Sequence, residues 1–224
     1  MNLKLSTNPF DRAVSDTIPL FVLFDLVTEI RNAYRVAASE TLENPLFSAG
    51  ITSEHFPQER RFRVQQALVT IALKHSRFLK YDEKKTKPKG GRFVTLVAEN
   101  LLLIEKFLSN PSKLPVRKYV SYLTAQPSIF EPELESKDPI FAVIIHGYDK
   151  ISIFPDAPDF IDIIFPDPVD PANLKSALHR IKLMDLEFTP TLEESIPVVP
   201  ETVITLKSEV ELPSEVDPER GELK

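Results

Sequence analysis

The chain has 224 residues, 42% of them hydrophobic, and 27 Lys/Arg against 33 Asp/Glu give a net charge of −6, a size and balance that suit one large globular domain or two small ones. It contains no Cys, which excludes disulfide stapling, thiolate chemistry and Cys-ligated zinc. The charge is divided: residues 1–130 carry 19 Lys/Arg against 12 Asp/Glu and residues 131–224 carry 8 against 21, or +7 followed by −13, so the two halves favour partners of opposite sign.

Five Gly beside 20 Pro disfavour Gly-rich phosphate loops, which need backbone to approach a ligand with no Cβ in the way. The N-terminus lacks an apolar signal core, and no run approaches the roughly 18 apolar residues of a membrane span. A soluble protein is expected, placed in the cytoplasm or a virion.

Along the chain, Leu20, Leu23, Phe24, Val27, Ile30, Tyr34 and Ala37 have the spacing of one helical face and predict a helix over 17–40, with Pro19 in its first turn. After an irregular stretch from Asn44 to Pro57, the residues Val64, Leu68, Ile71, His75, Phe78 and Leu79 predict a second helix over about 58–80. Charges, Pro88 and Gly90-Gly91 interrupt the pattern before Val94, Val97, Leu101, Ile104 and Leu108 predict a third helix over about 93–109, stopped by Asn110-Pro111. Val116, Tyr119, Val120 and Leu123 suggest a short fourth.

From Pro127 the texture changes. Residues 140–145 form a β-branched apolar run closed by Gly147, as in a strand buried on both faces. Residues 151–154 and 160–165 are further strand candidates ended by Pro-Asp. The four residues Ile153-Phe154-Pro155-Asp156 recur as Ile164-Phe165-Pro166-Asp167, two copies being too few for a solenoid. Leu174, Leu178, Ile181 and Met184 predict a helix over 173–184, and strand-like runs follow at 186–188 and 202–206. The expected fold is α+β: a basic helical domain of about four helices at 1–126, a small acidic α+β domain at 139–212 and an acidic tail at 213–224.

Chemistry is sparse. Asp149, Asp156, Asp159, Asp162, Asp167 and Asp170 lack the alternate spacing and central Gly of a calcium loop, and fit Asp at turns better. The four His are too scattered for a local zinc motif. His75, between Ile71 and Phe78, fits a core position, whereas His146 follows a buried strand and precedes Gly147, a strand-end position where sites often sit. A minority reading is a hydrolase centred on His146 and the Asp residues. Glu135-Ser136-Lys137 has the Glu-x-Lys form of some nucleases without the companion acid. No metal, cofactor or catalytic residue is assigned.

The stronger feature is basic. Lys74, Arg77, Lys80, Lys84, Lys85, Lys87, Lys89 and Arg92 face only Asp82 and Glu83 within residues 74–92, and Arg60, Arg61 and Arg63 add a second small cluster. The leading expectation is a non-enzymatic structural or protein–protein interaction subunit of a larger homo- or hetero-oligomeric assembly, such as a virion or tail component. The alternative is a nucleic-acid-binding regulator that uses a basic helix-loop-helix over 58–92 to contact phosphates or an acidic partner.

Overall fold

Asn8 opens the first helix: its side chain accepts the Phe10 N–H at 2.9 Å and Pro9 follows at the first helical position, where its missing donor costs nothing. This short helix, α1 (Pro9–Ser15), has no counterpart among the sequence expectations. The computed structural model describes residues 7–47, 49–85, 92–109, 140–148 and 156–186, all within one compact unit of residues 1–188. Among the described residues the fold is α+β, with three helices and a six-stranded mixed sheet.

The first expected long helix is present as α2 (Leu20–Leu42), and the second as α3 (Ala49–Lys74). α3 starts earlier than expected because it runs through Pro57, a residue that normally marks a helix boundary. The segment read as irregular therefore contains the first turns of α3. Leu23, Leu26, Ile30 and Tyr34 of α2 and Val64, Leu68 and Ile71 of α3 form one buried cluster.

The predicted third helix over 93–109 is not a helix. It is a β-hairpin, β2 (Arg92–Ala98) and β3 (Leu101–Leu108), in register Ala98↔Leu101 around Glu99 and Asn100. β1 (Lys80–Lys85) pairs antiparallel with β2, so the expected basic helix-loop-helix is a helix end followed by a second hairpin. The fourth helix and the strand candidates at 151–154 and 202–206 lie outside the described residues, as does the acidic tail.

β4 (Ile140–Gly147) and β5 (Phe160–Phe165) match the expected strands. The helix expected over 173–184 is replaced by turns, the short strand β6 (His179–Lys182) and a 3-10 turn, Leu183–Asp185. Its apparent face does not pack as one, since Leu174 and Ile181 are buried while Leu178 and Met184 are exposed. At 186–188, Leu186 follows that turn and the other two residues lie outside the description.

Strand order is β1-β2-β3-β4-β5-β6. Neighbours are antiparallel except β3 and β4, which run parallel with Leu101↔Ile140 through Leu108↔Gly147 in register. Three strands precede and three follow the linker expected near 127–138, so one sheet draws on both the basic and the acidic stretches of sequence. Alternate residues Leu96, Leu103, Ile144, Ile161 and Ile163 pack with the helices, whereas Ile104, Val143, Ile145 and Ile164 form a second cluster with Leu174. The inner strands are thus buried on both faces. At the end of β4, a Cβ on Gly147 would stand 1.9 Å from the Leu108 carbonyl oxygen, so the close approach of β3 and β4 requires glycine there.

Candidate functional site

The parallel pairing of β3 with β4 brings the single acid of β3, Glu105, beside His146 on the helix-covered face. His146 Nε2 lies 2.7 Å from Glu105 Oε1, and its Nδ1 lies 2.6 Å from the Tyr34 hydroxyl of α2. An ionised carboxylate only accepts, so Nε2 donates to Glu105, while Nδ1 is paired with the Tyr34 hydroxyl. Gln65 of α3 completes the set: its Nε2 donates to Glu105 Oε2, and its Oε1 accepts the Val94 N–H of β2. Each hydrogen-bonded polar group thereby offsets the cost of burying the next.

The surroundings are dry. Tyr34 and His146 are 0% and 1% exposed, and burial pushes the Tyr34 hydroxyl far above its ordinary range, despite the nearby Arg60 charge. Burial also pushes Glu105 upward, but the hydrogen bond and charge of His146, with Lys106 and Gln65, outweigh it and hold the carboxyl below its ordinary value. The carboxylate–imidazole–phenol chain could move a proton, yet both ring nitrogens are engaged and the ring is closed to solvent. The hydrogen bonds from His146 and Gln65 hold the Glu105 carboxylate in position.

Glu105 lines a cleft between α3 and the sheet, of about 240 Å³, together with Pro57, Arg60, Arg61, Gln65, Phe93, Lys106 and Phe107. Arg60 is its unusual member. The residue is 5% exposed, its guanidinium lies 3.5 Å from the centroid of the Phe107 ring, and the rings of Phe56, Tyr148 and Tyr34 stand within 5.4–5.7 Å. Nη1 donates to the Tyr148 hydroxyl, while the buried Nε has no hydrogen-bond partner. Aromatic faces attract the cation, but no carboxylate among the described residues forms an ion pair with it.

The sequence-predicted basic residues run from the end of α3 through β1 to the start of β2. Lys74 is bound to Asp25 at 2.7 Å, and its hydrogen bond, against an opposing effect of burial and with help from His75, holds that carboxyl below its usual range. The Arg77 guanidinium lies 5.6 Å from the Phe78 ring centroid. Lys80 opens β1 and is exposed. Lys84 and Lys85 end β1, and Arg92 opens β2 opposite Lys85. Lys87 and Lys89 lie outside the described residues. In the second cluster, Arg63 is held by Glu40 and Glu59.

Of the acidic candidates, Asp162 and Asp167 have separate partners. Asp162 is buried against Arg180, with burial raising its pKa despite that partner; Asp167 accepts the Val169 N–H in a turn. Asp156 is exposed, and Asp149, Glu135 and Lys137 lie outside the described residues. Among the described residues no group of three or more His, Asp or Glu could hold a metal ion, and no helix is long and apolar enough to cross a membrane. His75 bonds Asp25 at 2.8 Å and meets the Phe21 ring edge-on, a partnered position between the two long helices.

Sequence reasoning singled out His146 but missed its partners, which come from 41 and 112 residues away. One signal was available: Glu105 is a lone acid in an apolar strand, and such a charge needs a partner when buried. Comparison with protein-family profiles, characterised proteins and solved structures finds no match to this chain.

Proposed function

We propose that this protein is a non-enzymatic structural or protein–protein interaction subunit that assembles with further copies of itself through the outward face of α3. The observation that carries this reading is a line of apolar side chains. Ile51, Phe62 and Leu73 are 48%, 62% and 62% exposed, and with half-buried Val69 they fall within about 40° of one another on a helix that turns 100° per residue, over about 33 Å of its length. Single exposed apolar residues are ordinary, whereas an aligned set on one face marks an interaction surface.

A binding rather than catalytic role is also supported by the closed state of His146, which offers no free nitrogen to a substrate. The chain also carries a basic and an acidic stretch of sequence, +7 and −13, and opposite charges on neighbouring copies attract most at low salt. Light scattering on the full chain tests the proposal. The expected mass exceeds that of a monomer, falls as salt is raised, and becomes monomeric in Phe62→Glu with an unchanged circular dichroism spectrum. A salt-insensitive monomer throughout the soluble concentration range would sink it.

A further inference from the structure

The Arg60 cleft carries an inference independent of self-assembly. A guanidinium taken out of water normally acquires an anion, because neither aromatic faces nor one neutral hydroxyl repay the lost hydration of a full charge. Arg60 is buried, makes one hydrogen bond, to Tyr148, and has no ion pair among the described residues. Burial raises the pKa of the Tyr148 hydroxyl, against the pull of Arg60, so that hydroxyl remains a neutral acceptor. The buried Nε of the guanidinium has no hydrogen-bond partner among the described residues. A guanidinium is a planar fork of N–H donors, the geometry with which arginine grips an oxyanion.

Charge and size narrow the ligand. Three cations, Arg60, Arg61 and Lys106, and one carboxylate, Glu105, line the cleft, and Glu105 is hydrogen-bonded to His146 and Gln65. A cleft of about 240 Å³ falls below the roughly 300 Å³ at which clefts for drug-sized ligands begin. Phe93 and Pro57 provide an apolar wall beside the cations. We infer that this cleft is a binding site for the phosphate group of a phosphomonoester, held by the Arg60 guanidinium in a lining that also carries Arg61 and Lys106. An aromatic or aliphatic substituent on the ester would rest against Phe93 and Pro57.

The test uses the full chain, with phenyl phosphate and inorganic phosphate as probes and sodium chloride of equal ionic strength as the control. Wild type is expected to bind phenyl phosphate in calorimetry, and its thermal midpoint is expected to rise with either phosphate beyond the chloride control. Arg60→Met keeps the length and apolar contacts of the side chain but removes the unpaired charge. Its midpoint in plain buffer should equal or exceed that of wild type, and the phosphate increment should vanish. Arg60→Lys keeps the charge without the fork and should bind about tenfold or more weakly, which keeps the test decisive if the Met variant does not fold. Lys80→Gln, an exposed cation at the start of β1, should bind as wild type does. The inference is overturned if wild type responds to phosphate no more than to chloride, if either Arg60 variant binds as wild type does, or if Lys80→Gln loses binding equally.

Discussion

His146 shows how one side chain can be prominent in sequence while its meaning is set elsewhere. Its place at the end of an apolar run before Gly147 marks it as a strand-end histidine, a position compatible with catalysis. The structure gives it two buried partners, Tyr34 and Glu105, and with them a structural task. Tyr34→Phe isolates that task, because the ring is retained and only the hydroxyl bonded to Nδ1 is lost. A buried polar group left without its partner costs about 1–3 kcal/mol, so urea unfolding should show a destabilisation of that size with an unchanged m-value. A change below about 0.5 kcal/mol would show that the hydroxyl contributes nothing beyond packing. Glu105 adds a pH signature. Its folded-state pKa is lowered, so the stability it contributes is present above the unfolded carboxylate pKa of about 4.3 and is lost as pH falls through the lower folded value. Tyr34 and Glu105 could not be read as a pair with His146, since their meeting depends on strand pairing and helix docking rather than on local spacing.

The elements divide according to whether one or both of their sides are covered. α2 was legible because Leu23, Leu26, Ile30 and Tyr34 face the core and Arg31 and Arg35 do not, the one-sided pattern that defines a helical period. β4 was legible through its continuous β-branched run. The β2–β3 hairpin was not, because burial on both faces leaves apolar residues at nearly every position, and a subset of them always falls at helical spacing. Its turn gave no warning either. A two-residue hairpin loop usually announces itself with Gly or Asn at positive φ, whereas here Glu99 takes that role at φ 49°. A residue with a Cβ pays roughly 1 kcal/mol for this left-handed conformation. Glu99→Gly should therefore stabilise the protein by about 0.5–1 kcal/mol, the strain relieved being partly offset by the greater freedom of glycine in the unfolded chain. Chemical denaturation measures this directly, and a destabilised variant would mean that the Glu99 side chain holds the turn through contacts that outweigh its backbone strain.

At the scale of the whole molecule, the change from basic to acidic composition coincides with no break in the sheet. Composition records where charged side chains fall in sequence, whereas the sheet is set by backbone pairing between buried strands, and the two need not share a boundary. β3 ends before the expected linker and β4 begins after it, yet the two pair over eight consecutive residues. A fragment of residues 1–126 would keep all three helices and β1 to β3 while removing the partner of β3. It would expose the β3 edge beside Leu103, Ile104 and Leu108, leave Glu105 without His146, and uncover the helix surface that Ile144, Ile161 and Ile163 pack against. A long apolar edge with unpaired backbone groups is a template for aggregation, and an unpaired buried carboxylate adds several kcal/mol against folding. The fragment is therefore expected to lack a cooperative thermal transition and to aggregate, whereas residues 1–188, which retain all six strands, should unfold cooperatively. Cooperative unfolding of soluble 1–126 would show that the helices and the first hairpins suffice as a core, and that the β3–β4 junction contributes to the site rather than to the integrity of the fold.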